Sequence, residues 1–180
     1  MFDKNNRIFY LSDDVDEKSI GDLCFNLLCI LEEDDKKDQK EKDYKREPIK
    51  FYIQSYGGEI YDMWALIDIM LNSKTPIYTY CTGYAMSAGL NIFLAGHKRF
   101  ISRHATLLYH QMSGYRSGTY QDLVEDREEM DHLQETIEEY VISRTKLTKK
   151  DLKKIRETKR DVYFHADEAI ELGIANEIIG

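Results

Sequence analysis

A serine flanked by small residues is the part of this 180-residue sequence best suited to chemistry. Ser87 lies in the run Gly83-Tyr84-Ala85-Met86-Ser87-Ala88-Gly89-Leu90, between strand-like residues 76–81 and an apolar segment typical of a helix. On a tight strand-to-helix turn its Oγ would be exposed, with the positive end of the helix beneath the negative charge of an acyl-transfer transition state. Because serine is also a favoured helix N-cap, this pattern alone favours capping over catalysis.

A nucleophilic serine needs a base and donors for the oxyanion, and the sequence offers both. His110 follows the apolar residues 107–109, so it would emerge where a strand leaves the core and could take the serine proton. Gly57-Gly58 follows a buried-type strand and can turn a backbone N–H outward, towards the N–H of Ala88. Taken singly, a structural histidine and an ordinary glycine turn are the more common interpretations.

The remaining histidines and the cysteines predict no metal site and no cofactor. Neither set has the spacing of helical or zinc-finger ligands. The residues concerned are His97, His104, His132, His165, Cys24, Cys29 and Cys81. We expect the three cysteines to be small core residues in a reducing compartment.

Composition predicts a single domain over residues 1–180, with 42% hydrophobic residues and a formal net charge of -8. That charge gives no basic footprint, so nucleic acid is not an expected partner. The first residues do not resemble a secretory signal, and no apolar run approaches the roughly 20 residues that span a bilayer. We therefore expect no membrane association and a cytoplasmic location.

Strands alternate with helices along the chain, which predicts an α/β fold with a largely parallel sheet. Periodicity predicts strands at 7–11, 49–54, 76–81, 99–102 and 106–110, and helices at 16–31, 60–71, 120–146 and 167–172. Thr148 and Asp151 form a capping box for one more helix. The helix over 120–146 is too long and charged to be buried all round, so we expect it to project and to offer oligomer contacts.

Residues 32–47 form a dense run of mixed charge, in which 14 of 16 side chains are charged. Such a run is typical of a solvated helix end or a mobile loop, rather than of a docking site.

Four motifs in order resemble the ClpP family, the proteolytic subunits of the Clp protease. They are Ser-Tyr-Gly-Gly at 55–58, Gly-Tyr-Ala-Met-Ser-Ala-Gly at 83–89, Tyr-His-Gln at 109–111 and Arg-Asp-Val-Tyr-Phe-His-Ala at 160–166. The resemblance extends over nearly the whole chain. It implies a head domain built as a ClpP/crotonase-like spiral of ββα units, with a handle over about 111–147 that includes a projecting long helix.

The resemblance also implies roles for individual residues. Ser87 would be the nucleophile, His110 the general base and acid, and Asp161 the carboxylate that orients His110. The oxyanion donors would be the N–H groups of Gly58 and Ala88. The order Ser, His, Asp differs from that of an α/β-hydrolase, whose acid precedes its histidine.

Substrate peptides would add as an extended strand between two segments of the chain. The residues implied are Gly57, Glu59, Ile60, Gln111, Met112 and Gly114. The family assembles as heptameric rings that stack into a tetradecamer and receive unfolded polypeptides from an AAA+ unfoldase. The resemblance therefore implies an ATP-independent serine endopeptidase that is a homo-oligomer.

Several positions depart from the family pattern. Tyr56 and Met112 stand where proline is usual, and Ala88 stands where methionine is common. Only about six residues precede the first predicted strand, where the family has a longer segment that helps to engage the unfoldase, and the run 32–47 is an insertion. These departures keep open a catalytically weak structural subunit that assembles with an active paralogue. A crotonase-like acyl-CoA enzyme is a third alternative, although it would not need Ser87, His110 and Asp161.

Overall fold

The computed structural model describes all residues, 1–180, as a mixed α/β fold around one eight-stranded sheet. The strands are β1 (Phe2–Asp3), β2 (Ile8–Leu11), β3 (Ile49–Ser55), β4 (Ile77–Met86), β5 (Lys98–Ser102), β6 (Thr106–Tyr109), β7 (Val162–Phe164) and β8 (Glu177–Ile179). The helices are α1 (Glu17–Lys40), α2 (Ile60–Leu71), α3 (Ala88–Leu94), α4 (Tyr120–Arg144), α5 (Lys149–Thr158) and α6 (Ala166–Glu171).

The sheet is largely parallel, as the alternation of elements predicts. Its strands run in the order β1-β2-β3-β4-β5-β8, and only β1 pairs antiparallel to its neighbour in this path. The carboxyl half of β4 separates from β5 and pairs instead with β6, which in turn pairs antiparallel with β7. The strand β4 therefore has two successive partners on one edge, and its last residues lie where the sheet branches.

One apolar core joins the helices to the sheet. In β3, buried Ile49, Phe51 and Ile53 alternate with more exposed residues, as expected for a strand with one face covered. Met63 and Ile67 of α2 are fully buried and belong to the same hydrophobic core as these β3 residues. None of the helices combines the length and hydropathy that crossing a bilayer would require.

The long helix α4 is buried in its carboxyl-terminal half alone. Its buried residues run from Gln134 to Val141, whereas Tyr120 is 83% exposed and Leu123 is 44% exposed. The amino-terminal half therefore extends along the surface, in agreement with its charged sequence. The following helix, α5, begins with the predicted capping box, in which Thr148 and Asp151 bond reciprocally.

The charged run 32–47 is more ordered than its composition predicts. The helix α1 continues through it to Lys40, nine residues beyond the predicted end at Leu31. The reason is Asp34, which is fully buried and accepts hydrogen bonds from Arg7 (2.7 and 3.1 Å), Tyr44 (2.7 Å) and Thr75 (2.7 Å). Burial opposes the charged carboxylate, but these donors outweigh burial and lower the pKa of Asp34.

The segment after α1 is tied down by a second cluster of charges. Arg46 pairs with Asp35 (2.6 Å) and Asp38 (2.8 Å) of the helix and donates to Thr75 Oγ1 (3.2 Å). The predicted alternative of a solvated helix end is thus confirmed for residues 36–40, which are helical and exposed, whereas Asp34 is buried and Arg46 ties the segment after the helix to α1.

Other sequence predictions need smaller corrections. Of the three cysteines, Cys81 is buried and Cys24 is half-buried, but Cys29 is exposed and is not a core residue. The strand predicted at 76–81 continues to Met86, because its second half pairs with β6. The three-residue strands β7 and β8, too short for a periodic pattern, were not predicted.

Candidate active site

Ser87 occupies a strained turn between a strand and a helix. The strand β4 ends at Met86 and α3 begins at Ala88, and Ser87 between them has φ 52° and ψ -120°. A non-glycine residue in such a conformation costs about 1–3 kcal/mol and persists only when its surroundings enforce it. The hydroxyl makes no capping hydrogen bond to α3. The capping role is therefore absent, and the side chain is left free.

Strand register brings His110 to the same place. Met86 of β4 pairs in parallel with Leu108 of β6, and the Ser87 N–H donates to the Leu108 carbonyl at 3.0 Å. His110 is the second residue after Leu108, at the point where the chain leaves the sheet. Ser87 and His110 both line one cavity of about 540 Å³, and both are half-buried.

Asp161 approaches His110 through the other neighbour of β6. In the antiparallel pairing of β6 with β7, Tyr109 lies opposite Val162, so the next residues outward are His110 and Asp161. Asp161 is exposed and does not line the cavity. No side-chain hydrogen bond joins Ser87 to His110 or His110 to Asp161. Strand pairing thus brings the three positions to the same end of β6, but no hydrogen bond links their side chains.

The two candidate oxyanion donors lie on facing turns. The loop residues on either side of Gly58 both bond to Val15: the Val15 N–H donates to Gly57 (2.8 Å) and the Glu59 N–H donates to Val15 (2.7 Å). The N–H of Gly58 therefore points away from Val15. Ala88 is the first residue of α3, so its N–H has no acceptor within the helix. The Gly58 N–H thus has no acceptor in its own loop, and the Ala88 N–H has none in its own helix.

Gly57 allows the two turns to approach each other. A Cβ at Gly57 would lie 2.8 Å from Ser87 Cβ and 3.0 Å from Ala88 N, and Gly57 itself has a φ of +106°. Only glycine fits both the conformation and the space. The turn after β3 is thereby held against the turn that carries Ser87.

The residues implied for substrate binding are only partly on the cavity. Glu59, Ile60, Met112 and Gly114 line it, together with Gly58 and Ala88. Gly57 packs against the turn that carries Ser87, and neither Gly57 nor Gln111 lines the cavity. The segment 111–119 forms no regular strand.

A buried polar network fixes the start of that segment. The Met112 N–H donates to Gln134 Oε1 at 2.9 Å, and Gln134 Nε2 donates to Glu138 Oε1 at 3.0 Å. Glu138 in turn pairs with Arg156 of α5 at 3.3 Å. The residues that follow His110 are therefore anchored to α4 and, through it, to α5.

The mouth of the cavity is acidic and its interior is apolar. Three carboxylates and one guanidinium reach the rim, from Glu59, Asp126, Glu129 and Arg116. The Tyr61 hydroxyl donates to Glu129 at 2.8 Å across the opening. Sequence patterns alone did not single out Arg116, Asp126 and Glu129, because they meet Glu59 only through the packing of α4 and the segment before it near α2.

The chain is similar over nearly its whole length to proteins of one family. The model of the Clp protease family matches residues 3–180 of this chain. An ATP-dependent Clp protease proteolytic subunit 4 from Rhodococcus jostii is 33% identical over 177 residues, which cover 97% of this chain and 85% of the relative. An ATP-dependent Clp protease proteolytic subunit 1 from Prochlorococcus marinus subsp. pastoris is 31% identical over 176 residues, covering 96% and 83% respectively.

Solved structures agree on the fold. A mutant ClpP1 from Listeria monocytogenes superposes with a TM-score of 0.81 and covers 97% of this chain and 92% of its own. The two sequences are 24% identical, so this likeness supports the architecture and not the chemistry. The spiral α/β fold expected from the sequence is confirmed.

Proposed function

We propose, since this chain belongs to the Clp protease family, that it is an ATP-independent serine endopeptidase subunit that cleaves unfolded polypeptides through an acyl-enzyme. One observation carries the proposal. The half-buried side chains of Ser87 and His110 line the same cavity, which Gly58 and Ala88 also line. A nucleophile, a base and two N–H donors therefore border one space large enough for a peptide.

The chemistry follows from these positions. The Ser87 Oγ attacks the carbonyl carbon of a bound peptide while His110 accepts the hydroxyl proton. The oxyanion that forms would accept hydrogen bonds from the Gly58 and Ala88 N–H groups, each worth about 10²-fold to 10³-fold in rate. His110 then protonates the leaving amine, and water hydrolyses the acyl-enzyme by the reverse sequence. None of these steps consumes ATP.

Asp161 acts as the orienting carboxylate in this proposal. Asp161 comes directly before Val162, the first paired residue of β7, and in this proposal it would fix the ring of His110 and stabilise the imidazolium. Catalytic hydrogen bonds are often long before substrate binds and tighten only in the complex. We propose that His110 aligns with Ser87 and Asp161 when substrate or a neighbouring subunit orders the segment 111–119.

Assembly and partners belong to the same proposal. The exposed amino-terminal half of α4 offers a surface for a second ring, so we propose heptameric rings stacked into a tetradecamer with the handle over about 111–147. An AAA+ unfoldase would supply unfolded polypeptides, and confinement in the barrel would restrict the substrates. The reaction as proposed requires no metal or cofactor, and we propose a cytoplasmic location.

A fluorophosphonate probe tests the catalytic proposal directly. We expect the probe to label the wild-type chain, and Ser87→Ala to abolish both labelling and peptide cleavage. The matched control is Ser12→Ala, because Ser12 is exposed and does not line the cavity. Labelling that persists in Ser87→Ala would refute the proposal.

A second candidate is a structural subunit that assembles with an active paralogue. The observation that favours it is the lack of hydrogen bonds among the Ser87, His110 and Asp161 side chains. Peptide turnover by the purified chain alone excludes this candidate. Turnover that appears only on mixing with a second, active subunit would support it.

A further inference from the structure

The helix that follows Ser87 carries one polar side chain into the cavity. Asn91 lies one helical turn beyond Ser87, in an otherwise apolar α3, and it lines the cavity with Ser87. Its backbone is fixed at both ends, since its N–H donates to the Ser87 carbonyl (3.2 Å) and its carbonyl accepts from the Tyr140 hydroxyl (3.0 Å). The side chain is thus held at a constant position relative to the nucleophile.

The amide of Asn91 is buried without adequate partners. It is 5% exposed, its Nδ2 donates only to the sulfur of Met63 at 3.4 Å, and its Oδ1 has no partner. Sulfur is a weak acceptor. Rotating the amide by 180° would exchange the two atoms and still leave one of them unpaired. Buried polar groups in native proteins are nearly always satisfied, so an unpaired amide beside a cavity is placed to bond a polar group that enters it.

A second unsatisfied polar group borders the same cavity. Tyr109 is 3% exposed and lines the cavity, and its hydroxyl lies beside Gln134 without forming a well-aligned hydrogen bond. Burial raises the pKa of Tyr109 to about 12, so the hydroxyl is a neutral donor under ordinary conditions. The surrounding wall is apolar and includes Met63, Leu133 and Ile137.

We propose that this cavity selects a substrate residue whose uncharged side chain ends in an amide, glutamine above all, on the acyl side of the cleaved bond. This inference rests on the proposed peptidase function and names its specificity. The two methylenes of glutamine would pack against the apolar wall. Its NH₂ group would donate to Asn91 Oδ1 and its carbonyl would accept from the Tyr109 hydroxyl. Asn91 is thus the specificity-determining residue.

Three peptides that differ only at this residue test the inference. Glutamine, methionine and glutamate have unbranched side chains of similar length, but methionine lacks the amide and glutamate offers only acceptors and a charge. A satisfied buried hydrogen bond should favour glutamine over methionine by about 5-fold to 100-fold in kcat/KM. Glutamate should be the poorest of the three. Equal or faster cleavage after methionine would overturn the inference, as would a preference for lysine directed by the acidic rim.

A variant of similar shape isolates the contribution of Asn91. In Asn91→Leu we expect the ratio of glutamine to methionine cleavage to fall to about one or below. The matched control is Asn26→Leu, since Asn26 lies on α1 outside the cavity and bonds only to the Asp22 carbonyl. An unchanged ratio in Asn91→Leu would overturn the inference.

A measurement on the wild-type chain covers the case in which Asn91→Leu does not fold. Peptide diphenyl phosphonates ending in a glutamine or a methionine analogue should label Ser87 at rates that differ in the same direction as cleavage. If the fluorophosphonate probe labels Ser87 but the glutamine phosphonate reacts no faster than the methionine phosphonate, the proposed specificity is wrong. The peptidase proposal is then unaffected. Absence of any labelling at Ser87 would remove both.

Discussion

Replacing Gly57 with alanine tests how closely the turn after β3 must approach Ser87. The added methyl carbon would lie 2.8 Å from the Met86 carbonyl oxygen and from Ser87 Cβ. Carbon atoms in contact are normally about 3.5–4.0 Å apart, so the two turns would have to separate by about 0.7 Å or more. The positive φ of Gly57 adds strain of about 1–3 kcal/mol.

This displacement falls on the candidate oxyanion hole. Gly58, the next residue, supplies one of the two proposed donors, and a loss of one such donor costs about 10²-fold to 10³-fold in kcat. We therefore expect Gly57→Ala to lower peptide kcat by that factor and the free energy of unfolding by a few kcal/mol. Peptide turnover and the rate of fluorophosphonate labelling measure the first effect, and denaturant unfolding measures the second.

The matched control is Gly21→Ala on α1. Nothing lies within 4 Å of the added methyl group, and φ at Gly21 is not positive. This variant should keep full activity and gain about 0.5–1 kcal/mol of stability, because alanine is the better helix former. Wild-type turnover in Gly57→Ala would refute the proposed arrangement of donors around Ser87.

Two further predictions concern buried and exposed side chains. Asp34→Ala leaves Arg7 without its buried partner and should cost about 3–5 kcal/mol in urea unfolding. Because folding lowers the pKa of Asp34, its contribution is present above the unfolded value near 3.9 and is lost as pH falls below it. The stability gap between wild type and variant should therefore narrow below about pH 4, and a gap that is constant down to pH 2 would contradict the role of the carboxylate. Under native conditions a thiol reagent should modify exposed Cys29 first. Cys81 is buried, and burial raises the pKa of its thiol to about 12, so it should react only on unfolding. Mass spectrometry of the modified peptides gives the order of reaction, and modification of Cys81 before Cys29 would contradict the prediction.

Apolar periodicity was sufficient to predict the elements that face the core. The helix α2 has the predicted bounds, because Met63, Ile67 and Met70 repeat at helical spacing and all are buried. The end of α1 could not be predicted in this way. Its last turns are held by Asp34, whose partners Arg7 and Thr75 are distant in sequence and give no local pattern.

The residues of the candidate site likewise differ in whether neighbouring sequence or tertiary contacts identify them. The position of Ser87 on a strand-to-helix turn follows from small residues beside it, and His110 follows from the apolar run before it. The role of Asp161 came from family resemblance alone, because β7 is only three residues long and is defined by its pairing with β6. Asn91 is unusual in the sequence because it is the one amide in the apolar run of α3. Its proposed role in specificity could not be predicted, because that role depends on a cavity formed by distant parts of the chain.

The pairing of β6 with β7 has a consequence for biosynthesis. A ribosome makes β6 after about three-fifths of the chain and leaves one of its edges open until residues 162–164 emerge, more than fifty residues later. Until that moment nothing places Asp161 across from His110. The nascent chain would thus complete the proposed catalytic set only after about nine-tenths of its length has been translated, so an unfinished polypeptide would be a poor protease towards itself and its neighbours.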